Sequence, residues 1–571
     1  MVWLRELNAE QQRAVEAADG PVVIVAGPGT GKTKTLTARI AYLIESGRAK
    51  PEQILALTFT RKAAEEMKSR VAAFVSGEPT ITTFHGLCYE LLGDEMPFAS
   101  EAQRLQIIKS LPRPKGLKHL SVRELALAIS RAKNQPELED VQLAKVVRVY
   151  NKALAGQGLR DFDDLLVSTY NLLKRDEAAR KAVQARYTYV LVDEFQDTNL
   201  LQYEILKLLL PNNSIFVIGD PNQSIYGFRG ASGTIFDRFR QDFPDRTEIT
   251  LTTNYRSVPA VVRLSNALFE EAPDLTAHSQ TAGMVRAVEV LNEYSEARWV
   301  LDEIHRAIGG GDFLRAVSDD ATAHHRRLSD FAVLYRSRPA AATFQKMLDE
   351  SGLPYQVVGD GSPYDEPQIQ AILALMRAAV KHEPVYVEGY TSAEQRYLRD
   401  ALDKAEEAVP SALAEKIIEI LGVEPNRDLQ QFMGTLVQFK GLPAAVAYFD
   451  DIAEHGFYDP AADAITLLTI HASKGLEFSH VFLIGAEEGI LPSSRGDEAE
   501  EKRLFYVAAT RARERLEITH ARNRGGESSE PSRFIRQLPV DVLTRHTDPG
   551  IADQLRRIAK RAAKNSQTSL F

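Results

Sequence analysis

One segment near the N-terminus constrains the fold more than any other: PVVIVAGPGTGKTKTLTARI, residues 21–40. Four β-branched residues precede a glycine-rich turn, and a helical pattern follows with Leu36, Ile40 and Leu43 on one side. A buried strand, a tight loop and an amphipathic helix in this order are typical of an α/β domain with a parallel sheet. The run GPGTGKT, from Gly27 to Thr33, carries the G-K-T ending of a phosphate-binding loop.

This loop has the groups that hold a nucleoside triphosphate. Backbone N–H groups of a glycine-rich turn can surround a β-phosphate, and the N-terminus of the next helix adds its positive dipole end. Lys32 can reach the β- and γ-phosphates, and the Thr33 hydroxyl suits a Mg²⁺ ligand. The predicted phosphate-binding residues are Gly27, Pro28, Gly29, Thr30, Gly31, Lys32, Thr33 and Lys34. The alternative is a glycine-rich turn without a ligand, which the strand–loop–helix context disfavours.

A second nucleotide signal is YVLVDEFQDTN, an apolar strand that ends in two acidic residues. A phosphate-loop enzyme places its Mg²⁺ carboxylate and its water-orienting base at the end of such a strand. Asp193 would hold the metal and Glu194 would polarise the attacking water. An acidic helix start after an ordinary strand is the alternative for this segment alone. The two motifs together indicate an ATPase, but a small-molecule kinase would show both of them.

Bulk properties narrow the class of protein. The chain has 571 residues, enough for several domains, and its formal net charge of −9 argues against a dedicated nucleic-acid coat protein. A local basic groove is still compatible with that charge. The single cysteine, Cys88, gives no internal disulfide and fits a reducing compartment. Because the N-terminus is too charged for a signal peptide and no apolar run reaches about 18 residues, we expect a cytoplasmic protein without a membrane partner.

Two blocks of the chain alternate apolar strand patterns with helical ones. VVIVA, ILALTF, YVLVDE, SIFVIGD and TEITLTT form the first block, and FAVLYR, PYQVVG, ITLLTIH, HVFLIGA and RLEITHA form the second. Such runs predict parallel sheets that are covered on both faces. Each block is interrupted by a mostly helical stretch, at about residues 89–183 and 379–458. The segment after about residue 540 is polar and ends in a basic stretch.

Further motifs, and the order in which they occur along the chain, distinguish between the kinds of enzyme that carry these two nucleotide motifs. They are LNAEQQRAV, LALTFTRKAAEEM, TTFHGLC, DFDDLL, GDPNQSIYGFRGA, LTTNYRS, ITLLTIHASKGLEF and EEKRLFYVAATRARERL. With the two nucleotide motifs, this series resembles the UvrD/Rep/PcrA family of superfamily 1 DNA helicases over most of residues 4–536. The resemblance implies an α/β fold with two RecA-like P-loop core domains in tandem, each interrupted by a mainly helical insertion.

The implied domains follow those interruptions. Residues 1–88 and 184–258 would form the first core, 89–183 its helical insertion, 259–378 and 459–537 the second core, 379–458 a reduced second insertion, and 538–571 a basic tail. The second insertion lacks the Gly-Ile-Gly duplex-contact motif of the family. Docking on duplex DNA is therefore in doubt, and we expect either constitutive or partner-dependent unwinding.

The resemblance also implies an ATP site with Mg²⁺. Gln11 would recognise adenine, Tyr255 would stack on the base and Glu477 would lie near the ribose. Gln223, Arg256 and Arg511 would lie near the γ-phosphate. The implied catalytic residues are Lys32, Asp193, Glu194, Gln223, Arg256 and Arg511. If Arg511 lay on the second core, ATP would bridge two domains, and hydrolysis would release that bridge.

A single-stranded DNA path is implied by aromatic and basic residues in the remaining motifs. Aromatic stacking is worth about 1–3 kcal/mol per base and is indifferent to sequence, as movement along a strand requires. The implied contacts are Thr58, Phe59, Thr60, Arg61, Phe84, His85, Tyr226, Phe228, Arg229, His471 and Lys474. Phe228 stands where the family usually has Trp, and Arg61 replaces a usual Asn. Each aromatic could instead be a core residue, and both histidines could be structural.

The C-terminal pentapeptide QTSLF resembles the peptide with which bacterial proteins dock on the DNA sliding clamp. Its clamp-binding residues would be Gln567, Ser569, Leu570 and Phe571. A disordered end with two chance hydrophobic residues is the alternative.

These patterns together predict an ATP-driven 3′–5′ DNA helicase or single-strand translocase in repair or replication. A translocase that displaces proteins with little unwinding is one alternative, and a catalytically silent DNA-binding scaffold is another. A fused nuclease is disfavoured, since only about 35 residues follow the last core motif. The sequence does not determine the pathway or the oligomeric state, and it does not exclude RNA as a substrate.

Overall fold

The computed structural model describes residues 2–93, 96–138, 140–210, 214–227, 230–231, 233–269, 273–309, 326–359, 364, 366–380, 392–403, 409–455, 458–460 and 462–551. The chain divides into two compact units. The first unit consists of Met1–Val285, Arg495–Glu514 and Gln537–Leu543, and the second of Arg286–Ser494, Arg515–Arg536 and Thr544–Phe571. No helix within the described ranges is both long enough and apolar enough to cross a membrane.

The secondary structure alternates strands and helices along most of the chain. The helices are α1 Ala9–Val15, α2 Lys32–Glu45, α3 Arg61–Ala72, α4 Phe84–Leu92, α5 Glu101–Ser110, α6 Val122–Lys133, α7 Val141–Gly156, α8 Phe162–Arg175, α9 Glu177–Arg186, α10 Leu200–Leu209, α11 Ile235–Asp242, α12 Pro259–Leu268, α13 Glu293–Ala307, α14 Arg338–Ser351, α15 Pro367–Val380, α16 Ser392–Asp403, α17 Pro410–Leu421, α18 Arg427–Leu436, α19 Leu442–His455, α20 Glu498–Ala509 and α21 Arg533–Arg536. The strands are β1 Val22–Ala26, β2 Ile54–Thr58, β3 Thr80–Thr83, β4 Tyr189–Val192, β5 Ile215–Gly219, β6 Thr247–Leu251, β7 Thr253–Asn254, β8 Thr276–Ala277, β9 Met284–Val290, β10 Phe331–Tyr335, β11 Tyr355–Val358, β12 Ile465–Thr469, β13 Phe478–Leu483, β14 Ala512–Ala521, β15 Asn523–Arg524, β16 Glu527–Ser528 and β17 Thr544–Thr547.

The first unit is built on a six-stranded sheet in the order β3-β2-β4-β5-β1-β6. All of its strand pairs are parallel, including Val23 with Val217 and Leu55 with Thr80. Successive residues of β1 pack into different hydrophobic clusters, Ile24 on one face and Val25 on the other. Both faces are therefore covered, as the continuous apolar strand runs predict. The loops after β1, β4 and β5 leave the same edge of this sheet.

The second unit contains a seven-stranded sheet in the order β11-β12-β10-β13-β14-β9-β17. Strand β10 pairs in parallel with β12 and with β13. A separate cluster of buried side chains joins helices α15 to α19, including Leu373, Phe432 and Phe449. Helices α5, α6 and α7 of the first unit share another cluster around Ile108 and Ile129. The α/β fold with tandem sheets and helical stretches is as predicted.

The boundaries of the compact units differ from those of the predicted domains. The first unit continues past residue 258 to Val285 and includes Arg495–Glu514. Helix α20 contacts the segment Pro221–Gln223 and helix α12 within this unit. By these contacts Arg511 is grouped with Lys32 in the first compact unit.

Candidate nucleotide and nucleic-acid site

The phosphate loop joins β1 to α2 in a backbone conformation that glycine favours. Gly29 and Gly31 have φ angles of 69° and 84°. A Cβ atom on Gly29 would lie 2.6 Å from Cβ of Arg256, and one on Gly31 would lie 2.7 Å from Nε2 of Gln11. The positive φ angles, together with these close approaches, disfavour a side chain at both positions, which explains the glycines there. Ala26, the last residue of β1, stands where the general pattern has its first glycine.

Lys32 opens helix α2 and lies over this loop. Its Nζ atom is 3.4 Å from the carbonyl oxygens of Ala26 and of Gly27. The Lys32 charge also lowers the pKa values of Asp193 and Asp220, against the burial that raises them. The ammonium group thus acts on two acidic residues that follow the neighbouring strands β4 and β5.

Asp193 and Glu194 follow β4 directly. Burial, and then the neighbouring Glu194 carboxylate, raises the pKa of Asp193 to about 7. Glu194 has a φ angle of 48°, and among the described residues it alone has a positive φ without being glycine. Strained backbone of this kind is concentrated at functional sites.

Oxygen ligands at this position suit Mg²⁺. The Thr33 hydroxyl and the Asp193 carboxylate are hard donors, and the pair of acidic residues favours a cation. No group of three or more His, Cys, Asp or Glu residues in the described ranges could hold a metal alone.

Asp220 and Gln223 follow β5 and are buried together. Oδ2 of Asp220 accepts a hydrogen bond from Nε2 of Gln223 over 2.7 Å and one from the hydroxyl of Tyr506 over 3.4 Å. Oδ1 of Asp220 accepts the backbone N–H of Asn222. Tyr506 was not among the predicted residues, because nothing in the sequence ties it to a strand end 286 residues earlier.

The two predicted arginines are linked through Thr510. Nη1 of Arg256 is 3.5 Å from the carbonyl oxygen of Thr510, and Nη2 of Arg511 is 3.1 Å from its hydroxyl. Asn254 fixes this segment to the phosphate loop, because its amide donates to the Pro28 carbonyl oxygen over 2.7 Å. Arg256 and Arg511 are thus connected to the loop that carries Lys32.

The predicted adenine contacts lie beside the same loop. Nε2 of Gln11 donates to the Thr30 carbonyl oxygen over 3.0 Å. Tyr255 is 44 % exposed, so part of the residue is accessible to a base. Its hydroxyl accepts a hydrogen bond from Asn8 over 2.9 Å, and its ring centroid is 4.9 Å from that of His278. Asn8 and His278, which hold this ring, were not predicted.

Two predicted DNA contacts form a stacked pair. The rings of Phe59 and Tyr226 have centroids 5.2 Å apart and planes at 13°. Thr60 caps helix α3 by accepting the Ala63 N–H, and the Thr58 hydroxyl donates to the Thr60 carbonyl oxygen. The capped turn places Arg61 at the first position of α3.

Phe84 and His85 start helix α4 but have different environments. Phe84 is 6 % exposed and packs in a core cluster with Leu87. Burial lowers the pKa of His85 to about 4, and its ring centroid is 6.2 Å from that of Phe162. Phe162 is 56 % exposed and stacks on Phe98, with centroids 4.6 Å apart. Phe162 lies in the DFDDLL motif, which gave a signal for it, but it was not among the predicted contacts.

The remaining predicted residues belong to the second unit or lie outside the described residues. His471, Lys474 and Glu477 belong to the second unit, between β12 and β13. Phe228 and Arg229 lie outside the described residues. The same is true of the C-terminal Gln567, Ser569, Leu570 and Phe571.

Comparison with known families covers both halves of the chain. The UvrD/REP helicase N-terminal domain matches residues 7–135 and 117–244, and the UvrD-like helicase C-terminal domain matches residues 249–385 and 451–523. The chain belongs to the UvrD-like helicase family. The resemblance inferred from the order of the motifs is thereby confirmed.

Several relatives cover nearly the whole chain. The ATP-dependent DNA helicase PcrA of Bacillus subtilis is 32% identical over 652 residues, which cover 95% of this chain and 86% of the relative. PcrA of Staphylococcus aureus is 30% identical over 678 residues, which cover 99% of this chain and 91% of the relative. Both alignments are longer than the 571 residues of this UvrD-like chain, so the relatives contain residues that it lacks.

Proposed function

We propose that this chain is an ATP-dependent DNA helicase that moves 3′ to 5′ along single-stranded DNA and acts in repair or replication. The observation that carries the proposal is the convergence of Lys32, Asp193 and Asp220 at one edge of the first sheet, where the Lys32 charge acts on both carboxylates. A phosphate loop opposite two acidic strand ends is the arrangement that nucleoside triphosphate hydrolysis needs.

Binding of ATP is assigned to residues around this loop. Gln11 reads the adenine edge, Tyr255 stacks on the base, and backbone N–H groups of Gly27–Thr33 take the phosphates. Lys34 and Glu477 complete the proposed nucleotide contacts, the latter at the ribose. Asn8 and His278 keep the Tyr255 ring in place, because both contact it directly.

Hydrolysis is assigned to the acidic residues and the arginines. Thr33 and Asp193 would hold Mg²⁺, which neutralises charge on the phosphates. Glu194 accepts the proton of the attacking water at its carboxylate, and the Gln223 amide contacts the γ-phosphate. Arg256 and Arg511 stabilise the charge that spreads over the transferring phosphoryl group.

A path for single-stranded DNA is assigned to the motifs beside this site. Phe59, Tyr226 and the exposed Phe162 offer aromatic faces on which bases can stack. The other proposed contacts in the first unit are Thr58, Thr60, Arg61, Phe84 and His85, together with Phe228 and Arg229, which follow Tyr226 in the sequence. His471 and Lys474 are the proposed contacts of the second unit. Because most of these residues meet phosphates or bases without reading sequence, movement along any strand is expected.

The predicted core domains and insertions serve as the proposed functional division of the chain, with residues 379–458 as a reduced second insertion. A protein-displacing translocase that unwinds little duplex alone fits this reduction and is the second candidate. A silent DNA-binding scaffold is disfavoured, because every residue needed for hydrolysis is present.

For the tail, we propose that QTSLF docks on the DNA sliding clamp. Deletion of the last five residues should abolish clamp binding and leave ATP hydrolysis unchanged.

The first experiment is ATP hydrolysis with and without single-stranded DNA, with Lys32→Ala as the blank. Stimulation by DNA supports the motor, and duplexes with 3′ or 5′ tails then test polarity and unwinding. Hydrolysis that is indifferent to DNA contradicts the proposed DNA path. Stimulated hydrolysis without unwinding of either duplex favours the protein-displacing translocase.

A further inference from the structure

Gln196 connects the acidic motif after β4 with the segment after β5. Its side-chain Nε2 donates a hydrogen bond to the Glu194 carboxylate, and its Oε1 accepts the Asp220 N–H over 2.9 Å. The backbone oxygen of Gln196 also accepts the Ser224 hydroxyl over 3.0 Å. One glutamine therefore bonds the proposed catalytic base and two residues of another loop.

The orientation of the Gln196 amide is fixed by its partners. An ionised carboxylate can only accept and a backbone N–H can only donate, so the amide cannot be turned around without losing both bonds. Gln196 is 1 % exposed and Asp220 is 3 % exposed, so neither contact is open to bulk water. A buried polar group with two such partners is held in one position.

Gly219, the last residue of β5, provides the space for this amide. A Cβ atom at Gly219 would lie 2.2 Å from Oε1 of Gln196 and 3.0 Å from the backbone nitrogen of Phe195. Gly219 is not among the glycines with positive φ, so its small size and not its backbone angle is what the position requires. The sheet edge is shaped around the Gln196 side chain.

We propose that Gln196 is a positioning residue that holds the Glu194 carboxylate and ties it to the segment Asp220–Tyr226. Glu194 has a left-handed backbone, and such a conformation persists only where surrounding contacts determine it. The hydrogen bond from Gln196 is one of these contacts. Tyr226, at the end of the same segment, stacks on Phe59 in the proposed DNA path. A base that enters this path would move the segment to which the Glu194 carboxylate is tied.

The inference rests on the proposed function, and it deepens the account of how DNA stimulates hydrolysis. The test uses the full chain with Gln196→Met, which keeps the size of the side chain but removes both amide bonds. Gln196→Glu is the second variant, since it keeps an acceptor for the Asp220 N–H, removes the donor to Glu194 and places a second carboxylate against it. Gln202→Met is the matched control, because Gln202 is a buried glutamine that caps α10 through Asn199.

We expect DNA-stimulated kcat to fall about 10- to 100-fold in both Gln196 variants, because a displaced general base loses most of its contribution. The KM for ATP, the affinity for a fluorescent ATP analogue and the affinity for single-stranded DNA should stay within about twofold of the parent chain. Gln202→Met should keep the parent kcat. A Gln196 variant with kcat near that of the parent overturns the inference, as does a fall in kcat matched by equal losses of analogue and DNA binding.

A second measurement separates positioning from general disruption. If Gln196 acts through Glu194, Gln196→Met should have almost no further effect on kcat in a Glu194→Gln background. Additive losses would overturn the assignment. If the parent chain itself shows no hydrolysis that DNA stimulates, the proposed function fails. A stimulated parent with unaffected Gln196 variants refutes the inference alone.

Discussion

The hydroxyl of Tyr506 donates a hydrogen bond to Oδ2 of Asp220 over 3.4 Å, so helix α20 contacts the strand end that also holds Gln223. Burial raises the pKa of both groups, and Tyr506 therefore stays a neutral donor at neutral pH. Tyr506→Phe removes this donor without changing the ring. We expect DNA-stimulated kcat to fall about 2- to 10-fold, the equivalent of one net hydrogen bond. The fall in kcat is measured by steady-state ATP hydrolysis in the presence of single-stranded DNA.

Tyr203 supplies the matched control for this substitution. Its hydroxyl donates to Oδ2 of Asp242 over 3.0 Å, and its ring packs in a core cluster. Tyr203→Phe should lower thermal stability as much as Tyr506→Phe does but leave kcat unchanged. Equal kcat values for the two variants would contradict a role for Tyr506 at the nucleotide site.

Lys32→Ala should abolish hydrolysis and raise the pKa values of Asp193 and Asp220. The ammonium group opposes the effect of burial on the pKa of both carboxylates, so its loss favours their protonated forms. We expect kcat to fall at least about 100-fold and the affinity for a fluorescent ATP analogue to fall as well. Lys68→Ala, which removes an exposed lysine paired with Glu65, is the control that should keep the parent activity. Retained hydrolysis in Lys32→Ala would exclude this loop as the active site.

The positions of Lys32 and Asp193 could be predicted because each follows an apolar run in a parallel sheet, whereas Asp220, which ends such a run, was not among the predicted site residues. Strand patterns locate the ends of strands, and the ends of parallel strands share one edge. The contacts that Gln196 and Tyr506 make with Asp220 were not predictable, because these buried polar groups lie 24 and 286 residues away from it in the chain. Their positions depend on how the helices pack, which no local pattern encodes.

For aromatic residues, too, the sequence did not indicate which side chains the packing buries. Phe84 and Phe59 both stand in DNA-facing motifs, yet Phe84 is buried in a core cluster while Phe59 pairs with Tyr226. The sequence alone left open whether each ring is a core residue or a stacking surface. The first residue of a helix can point either way, and the packing of α4 buries most of the Phe84 ring.

His85 should make stability depend on pH between about 4 and 6.5. Burial lowers the pKa of His85 from 6.5 to about 4. Between these values the unfolded chain binds the proton and the folded chain does not, so stability rises with pH through this window. His85→Gln should flatten the dependence of the melting temperature on pH there and leave it unchanged above about pH 7. An identical pH profile for the variant and the parent would contradict a buried neutral His85.

Phe59→Ala should weaken binding of single-stranded DNA without affecting hydrolysis in the absence of DNA. The Phe59 ring lies parallel to Tyr226, and removing it takes away one stacking face and the support of the other. We expect a loss of about 1–3 kcal/mol in binding free energy, similar for strands of different sequence, because stacking does not read base edges. Fluorescence anisotropy with two unrelated oligonucleotides measures it. Phe74→Ala is the control, since Phe74 is an exposed aromatic that packs on Trp3 outside the proposed path. Equal affinities for Phe59→Ala and Phe74→Ala would remove the Phe59–Tyr226 pair from the proposed DNA path.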